Sequence, residues 1–93
     1  MTKDQKKAVR RALRTAEGER SAAWNRAIRR TRDYYALHDP VCWELLRLRY
    51  LDGLPEDRVI ERLYIGRTTY YRKESEALST AAIFAAQEGA LTK

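Results

Sequence analysis

Apolar residues in the first third of the chain recur at helical intervals. Val9, Leu13, Ala16, Ala23, Ala27 and Tyr34 stand three, four or seven apart, with Trp24 and Ile28 beside the same stripe. This spacing predicts helix over residues 4–37, preceded by Thr2 or Lys3, with Asp4 at its positive end. The stripe skips Arg20. Gly18, between Glu17 and Glu19, either ends a first helix or weakens a continuous one, so one long helix and a helix pair both fit. Unbroken, the helix would run ~50 Å at about 1.5 Å per residue. The rest of so short a chain could not cover a rod that long, so the stripe predicts pairing with another chain.

The sequence His38-Asp39-Pro40 interrupts the pattern, because proline disfavours helix in the residue before it and suits a first turn. Asp39 is then the expected N-cap of a helix running to about Leu51, with Val41, Cys42, Leu45, Leu46, Leu48 and Tyr50 as its apolar surface. Asp52-Gly53 reads as a helix stop with glycine in the left-handed conformation. Leu54-Pro55 opens the next helix, with Glu56 and Asp57 in its first turn and Val59, Ile60 and Leu63 on its buried side. Tyr64-Ile65-Gly66 is a short connector. A last helix begins near Arg67 and continues to about Gly89, with Tyr70, Ala77, Leu78, Ala81, Ile83, Phe84 and Ala85 as its apolar positions. No segment alternates with the period of a strand, so the expected fold class is all-α. A basic helical arm over residues 1–38 would serve oligomerisation, followed by a compact unit over residues 39–93.

With 93 residues, 44% of them apolar and 34% charged, the chain is ordinary for a small helical protein and too apolar for a disordered tail. Cys42 is alone, so it forms no internal disulfide, and with the lone His38 it makes no zinc site; no cofactor or metal is expected. The longest apolar run, Ala81 to Ala86, is far short of the ~20 residues that span a bilayer. No apolar signal core follows the start. These features predict a protein of the cytoplasm, away from membranes.

The charge is uneven. Of 19 basic and 13 acidic residues, residues 1–37 hold 11 basic against 4 acidic, a net of +7, and the remainder nets −1. Such a segment favours a polyanion, and 14 of the 19 cations are arginine, which suits phosphate and guanine as well as ion pairs.

The stretch LPEDRVIERLYIGRTTYYRKESEAL, residues 54–78, carries the most information. A helix of about eight residues, a short turn and a second basic helix make the pattern of a helix-turn-helix. Leu63 and Ile65 flank the turn, and Tyr70 packs inward. Arg67, Thr68, Tyr71 and Arg72 then face outward near the start of the second helix, where arginine can bind guanine, threonine a thymine methyl and tyrosine a phosphate. Arg58, Arg62 and Lys73 are the expected backbone contacts.

The longer run LLRLRYLDGLPEDRVIERLYIGRTTYYRKESEAL resembles region four of bacterial sigma factors. It is more similar still to the small phage-encoded late transcription regulators of the ArpU and RinA type. They share the helix ending in "LRY" followed by "(D/E)G", here Leu48-Arg49-Tyr50-Leu51-Asp52-Gly53. They also share a recognition helix of the form "S-x-(S/T)-x-Y-R", here Gly66 to Arg72. The resemblance covers about a third of the chain and implies an intracellular, DNA-binding transcription regulator of phage or prophage origin in a bacterial host. The sequence departs from that pattern in the turn, where Tyr64 and Gly66 stand for the usual glycine and serine. It departs again at Lys73 and Glu74, where an apolar residue is expected. A tyrosine at a position that favours positive φ would be strained, which leaves room for a turn of different geometry.

No Ser, His and carboxylate cluster, phosphate loop or telling carboxylate pair is present, so catalysis is not expected. The sequence therefore predicts a sequence-specific double-stranded DNA-binding transcription regulator, homodimeric through its long helix, with RNA polymerase as a further candidate partner. Two rivals stand beside it: a DNA-packaging or assembly protein such as a terminase small subunit, and a module that docks on RNA polymerase.

Overall fold

A computed structural model describes residues 2–91 and is all-helical, with no strand among the described residues. Five α-helices follow one another: α1 (Lys3–Arg14), α2 (Ala22–His38), α3 (Pro40–Leu46), α4 (Glu56–Leu63) and α5 (Arg67–Gln87). A short 3-10 turn (Glu17–Glu19) joins α1 to α2, and a π-helical turn (Arg47–Leu51) prolongs α3.

The N-terminal stretch is a helix pair. α1 starts in a capping box: Gln5 N–H donates to Thr2 Oγ1 at 3.1 Å, and Thr2 N–H donates to Gln5 Oε1 at 3.0 Å. It ends where the Thr15 hydroxyl turns back to donate to the Arg11 carbonyl at 2.7 Å. Ser21 then caps α2, accepting from Trp24 N–H at 3.2 Å. The break spans these seven residues and does not depend on Gly18 alone.

Because the chain reverses there, α1 folds onto the remaining helices. Val9 and Leu13 are buried in the same core as Leu45, Leu46, Val59, Tyr70 and Leu78. Part of the stripe expected to pair with a second chain is thus covered within this one. Val9, Leu13 and Ala27 are covered by this chain's own α3 to α5, Ala23 is half-buried and Ala16 is exposed. The longest molecular dimension is 35 Å, well under that of an unbroken rod. Residues 3–38 form part of the core rather than an arm attached to it.

α5 is the central element and contacts α1, α2 and α3. It runs antiparallel to α2. Tyr35 Oη lies 2.7 Å from Thr80 Oγ1 at one end, while Arg26 and Arg30 hold Glu88 at 2.7 and 3.0 Å at the other. Ala77, Ala81 and Ala85 of α5 are buried at four-residue spacing, and their small side chains allow close helix approach. Ile83, expected inward, is 57% exposed.

The stop after α3 forms as the sequence predicts. Asp52 N–H donates to the Arg47 carbonyl at 2.8 Å, closing the π-turn, and Gly53 takes φ +75°. Pro55 caps α4, with Glu56 and Asp57 in its first turn. Asp39 precedes α3, but its carboxylate makes no capping bond to that helix.

Candidate nucleic-acid interface

The connector between α4 and α5 is three residues long. Tyr64 ends α4 at φ 54° and ψ 43°, a left-handed conformation, with its side chain 95% exposed. The turn therefore keeps the geometry that a glycine would give, and the tyrosine bears the strain. Ile65 is half-buried against the core, short of full burial in the turn. Gly66 then starts α5 in extended backbone, without a side-chain cap.

The first turns of α5 divide as expected. Tyr70 is wholly buried, while Arg67, Thr68, Tyr71 and Arg72 are exposed. Thr68 and Arg72 are four apart and share one outward face. Arg67 and Tyr71 lean toward α4. Arg67 donates to Asp57 at 2.9 Å and sits 3.5 Å from Glu56, and the Tyr71 hydroxyl donates to Glu56 at 2.8 Å. The helix-start acids that suit the α4 dipole thus also fix two of the four expected base-reading residues. Arg72 is freer: its contact with Glu76 is 3.9 Å long, between side chains 64% and 61% exposed. A pair so exposed contributes little.

Of the expected backbone contacts, Arg58 and Arg62 are exposed on α4, four residues apart and without an ion-pair partner among the described residues. Lys73 is a correction. Its side chain is only 17% exposed, and its ammonium donates to Asp39 Oδ2 at 2.5 Å. It joins α5 to the start of α3 and is not presented to a partner. The same carboxylate oxygen lies 3.4 Å from Cys42 Sγ. Burial, and then this contact, push the thiol up to about 12, so Cys42 remains a protonated core residue.

Sequence reasoning missed a second polar centre. Glu74, noted only as a polar residue at an apolar position, accepts from Tyr50 Oη at 2.8 Å and from Tyr70 Oη at 3.2 Å. Tyr50 in turn accepts from Arg10 Nε at 3.2 Å, and the Arg14 guanidinium lies 5.1 Å from the centre of its ring. Burial raises the Tyr50 pKa above its ordinary value, and the Glu74 bond raises it further, so the phenol stays a donor. The polar run Lys73-Glu74 was the only signal of either contact. It marks where α5 meets two polar partners, Asp39 and Tyr50, instead of apolar ones.

Among the described residues, no helix is long and apolar enough to cross a membrane, and no three His, Cys, Asp or Glu side chains group to hold a metal ion. The fold and the α4–α5 face define a small all-α protein whose outer surface there carries both signs of charge, partly paired. The chain belongs to the DUF1492 family, described as a protein of unknown function, which matches residues 5–81. That match begins inside α1 and ends within α5, so it takes α1 and the α4–α5 unit together. No curated protein and no solved structure matches the chain.

Proposed function

We propose that this protein binds double-stranded DNA sequence-specifically through the start of α5 and acts in transcription control, without catalysis. One observation carries the reading. A three-residue connector with a left-handed Tyr64 sets α5 after α4, so that Tyr70 locks into the core while Thr68, Tyr71 and Arg72 stay outside beside Arg67. Short helix, tight turn and second helix with donors on its exposed first turns are what reading a major groove requires. The similarity to ArpU- and RinA-type regulators supports the same reading and extends it to a phage or prophage setting in bacterial cytoplasm. Selection of bound sequences from a random duplex pool tests it. Enrichment of a defined motif is expected, and recovery of unenriched DNA would remove the reading.

A second reading has its own support. Arg67 and Tyr71 already bond to Asp57 and Glu56, and Tyr64 stands almost fully exposed at the end of α4. A surface of mixed charge and aromatic side chains also suits a protein partner such as RNA polymerase. Binding to polymerase with no affinity for free duplex would favour it. The homodimer drew on a stripe that this chain covers at Val9, Leu13 and Ala27. A dimer built on the rest would use other apolar side chains, of which Leu37, 84% exposed, is the most open on a helix among the described residues.

A further inference from the structure

We propose that the outer face of α1 is a fixed phosphate-docking surface for the same duplex that α5 reads, held in register with α5 by Tyr50. The inference rests on the DNA-binding reading and adds a partner surface to it. α1 carries Lys3, Lys6, Lys7, Arg10, Arg11 and Arg14 against the single acid Asp4. None of these six cations lies within ion-pair distance of a carboxylate among the described residues. α2 is different: Arg26 and Arg30 are held by Glu88, Arg29 by Glu17 at 3.8 Å and Arg32 by Asp33 at 3.0 Å. The free positive charge of the N-terminal third is therefore concentrated on one helix. Lys7, Arg10, Arg11 and Arg14, with Thr15, line an open groove there. Lys3, Lys7 and Arg11 follow one another at four-residue spacing, so cations recur about every 6 Å along one face.

This face is mounted rigidly. Val9 and Leu13 anchor the opposite side of α1 in the core, and Arg10 donates to Tyr50, which donates to Glu74 of α5. Lys6 Nζ reaches Ser75 Oγ at 3.5 Å. Ser75 is three residues beyond Arg72 on α5, so Lys6, at the edge of the α1 cations, adjoins the outward face that holds Thr68 and Arg72. A phosphate contact on a rigid mount sets the orientation of the reading helix, whereas one on a flexible arm adds affinity alone. An anionic lipid surface fits less well. The only large apolar side chains of α1, Val9 and Leu13, point into the core and leave no apolar face to insert.

The experiment compares the salt dependence of duplex binding for the full chain and two double variants, Lys7→Gln with Arg11→Gln and Arg29→Gln with Arg32→Gln. Both pairs remove the same charge. The α1 pair is expected to flatten the slope of log K against log salt by about 0.9 per cation, and the α2 pair to leave it near that of the unmodified chain. Equal slopes for the two pairs would reduce the effect to net charge and overturn the proposal. So would an unchanged slope in the α1 pair accompanied by lost binding to phosphatidylserine vesicles, which would point to a membrane. Either result leaves sequence-specific binding by α5 standing, whereas an unmodified chain that binds no duplex overturns both readings. Tyr50→Phe keeps every cation and the ring. It is expected to leave the slope unchanged and to lower the ratio of specific to random binding several-fold; an unchanged ratio overturns the fixed mounting.

Discussion

Lys73 on α5 and Asp39 at the start of α3 form an ion pair at 2.5 Å that is largely shielded from solvent on the lysine side. Asp39 was placed by the sequence as a helix cap and Lys73 as a DNA contact, yet each satisfies the other. The hydrogen bond from Lys73 holds the Asp39 carboxyl below its ordinary pKa, despite an opposing contribution from burial. A lowered carboxylate pKa stabilises the fold above the unfolded value and loses that contribution as pH falls through the folded value. Stability should therefore decline below about pH 4, the unfolded aspartate range. Asp39→Asn should lower the melting temperature at pH 7 and remove part of the acid-side decline. Urea midpoints measured from pH 7 down to pH 3 check this, and identical pH profiles for the two proteins would refute it.

The reversal between α1 and α2 leads to a different expectation from a dimeric rod. Leu13 is 2% exposed within a single chain. Leu13→Ala should cost about 2–5 kcal/mol through lost burial and a residual cavity. The unfolding midpoint of both proteins should not change with protein concentration, since no partner contributes to that site. A midpoint that rises with concentration, and a Leu13→Ala variant that loses this rise, would restore the intermolecular stripe.

Tyr64 offers a test in the stabilising direction. Its φ of 54° is unfavourable for any side chain with a Cβ, and with 95% exposure the ring contributes almost no packing. Tyr64→Gly should relieve roughly 1 kcal/mol of strain, partly offset by the greater backbone freedom of glycine in the unfolded chain. A rise of a few degrees in melting temperature is expected, measured by circular dichroism. A fall would mean that the ring makes contacts the structure does not show.

These three cases indicate what the sequence could reveal. Proline, glycine and the Asp52-Gly53 stop act through local backbone rules, so the limits of α3, α4 and α5 were legible in order and type. Tyr70 was legible as a core residue because it stands seven residues before Ala77, on the stripe that Ala81 continues, although Lys73 and Glu74 lie between them. The α1–α2 break was harder to place, since Thr15 and Ser21 become caps only once the chain has turned, and the periodicity of alanine continues across the gap. Lys73, Glu74 and Arg10 were misread or missed for a further reason. Each has a partner 24 or more residues away in sequence, and a charged side chain carries no mark of whether it faces solvent or another polar group. Among the expected reading residues, exposure was legible, but the hold of Asp57 and Glu56 on Arg67 and Tyr71 was not. That hold depends on the turn bringing the start of α4 beside the start of α5.

The last expectation separates reading from adhesion. Arg72 and Thr68 face outward on α5 with little to restrain them, whereas Arg67 must share or surrender its bonds to Asp57 and Glu56 before it reaches a base. Arg72→Ala should therefore cost more on the preferred site than Arg67→Ala, within the range of about 1–3 kcal/mol for loss of a good base contact. Each should relax the preference at one base pair and leave random-duplex affinity nearly unchanged, apart from the loss of one charge. Both residues are exposed, so the melting temperature should scarcely move, and it serves as the folding control. Titrations on the selected motif and on scrambled duplex give the ratio that matters. If both variants keep that ratio in a folded protein, α5 is not the reading element, and the face formed by Arg67, Tyr71, Glu56 and Asp57 becomes a protein-docking surface instead.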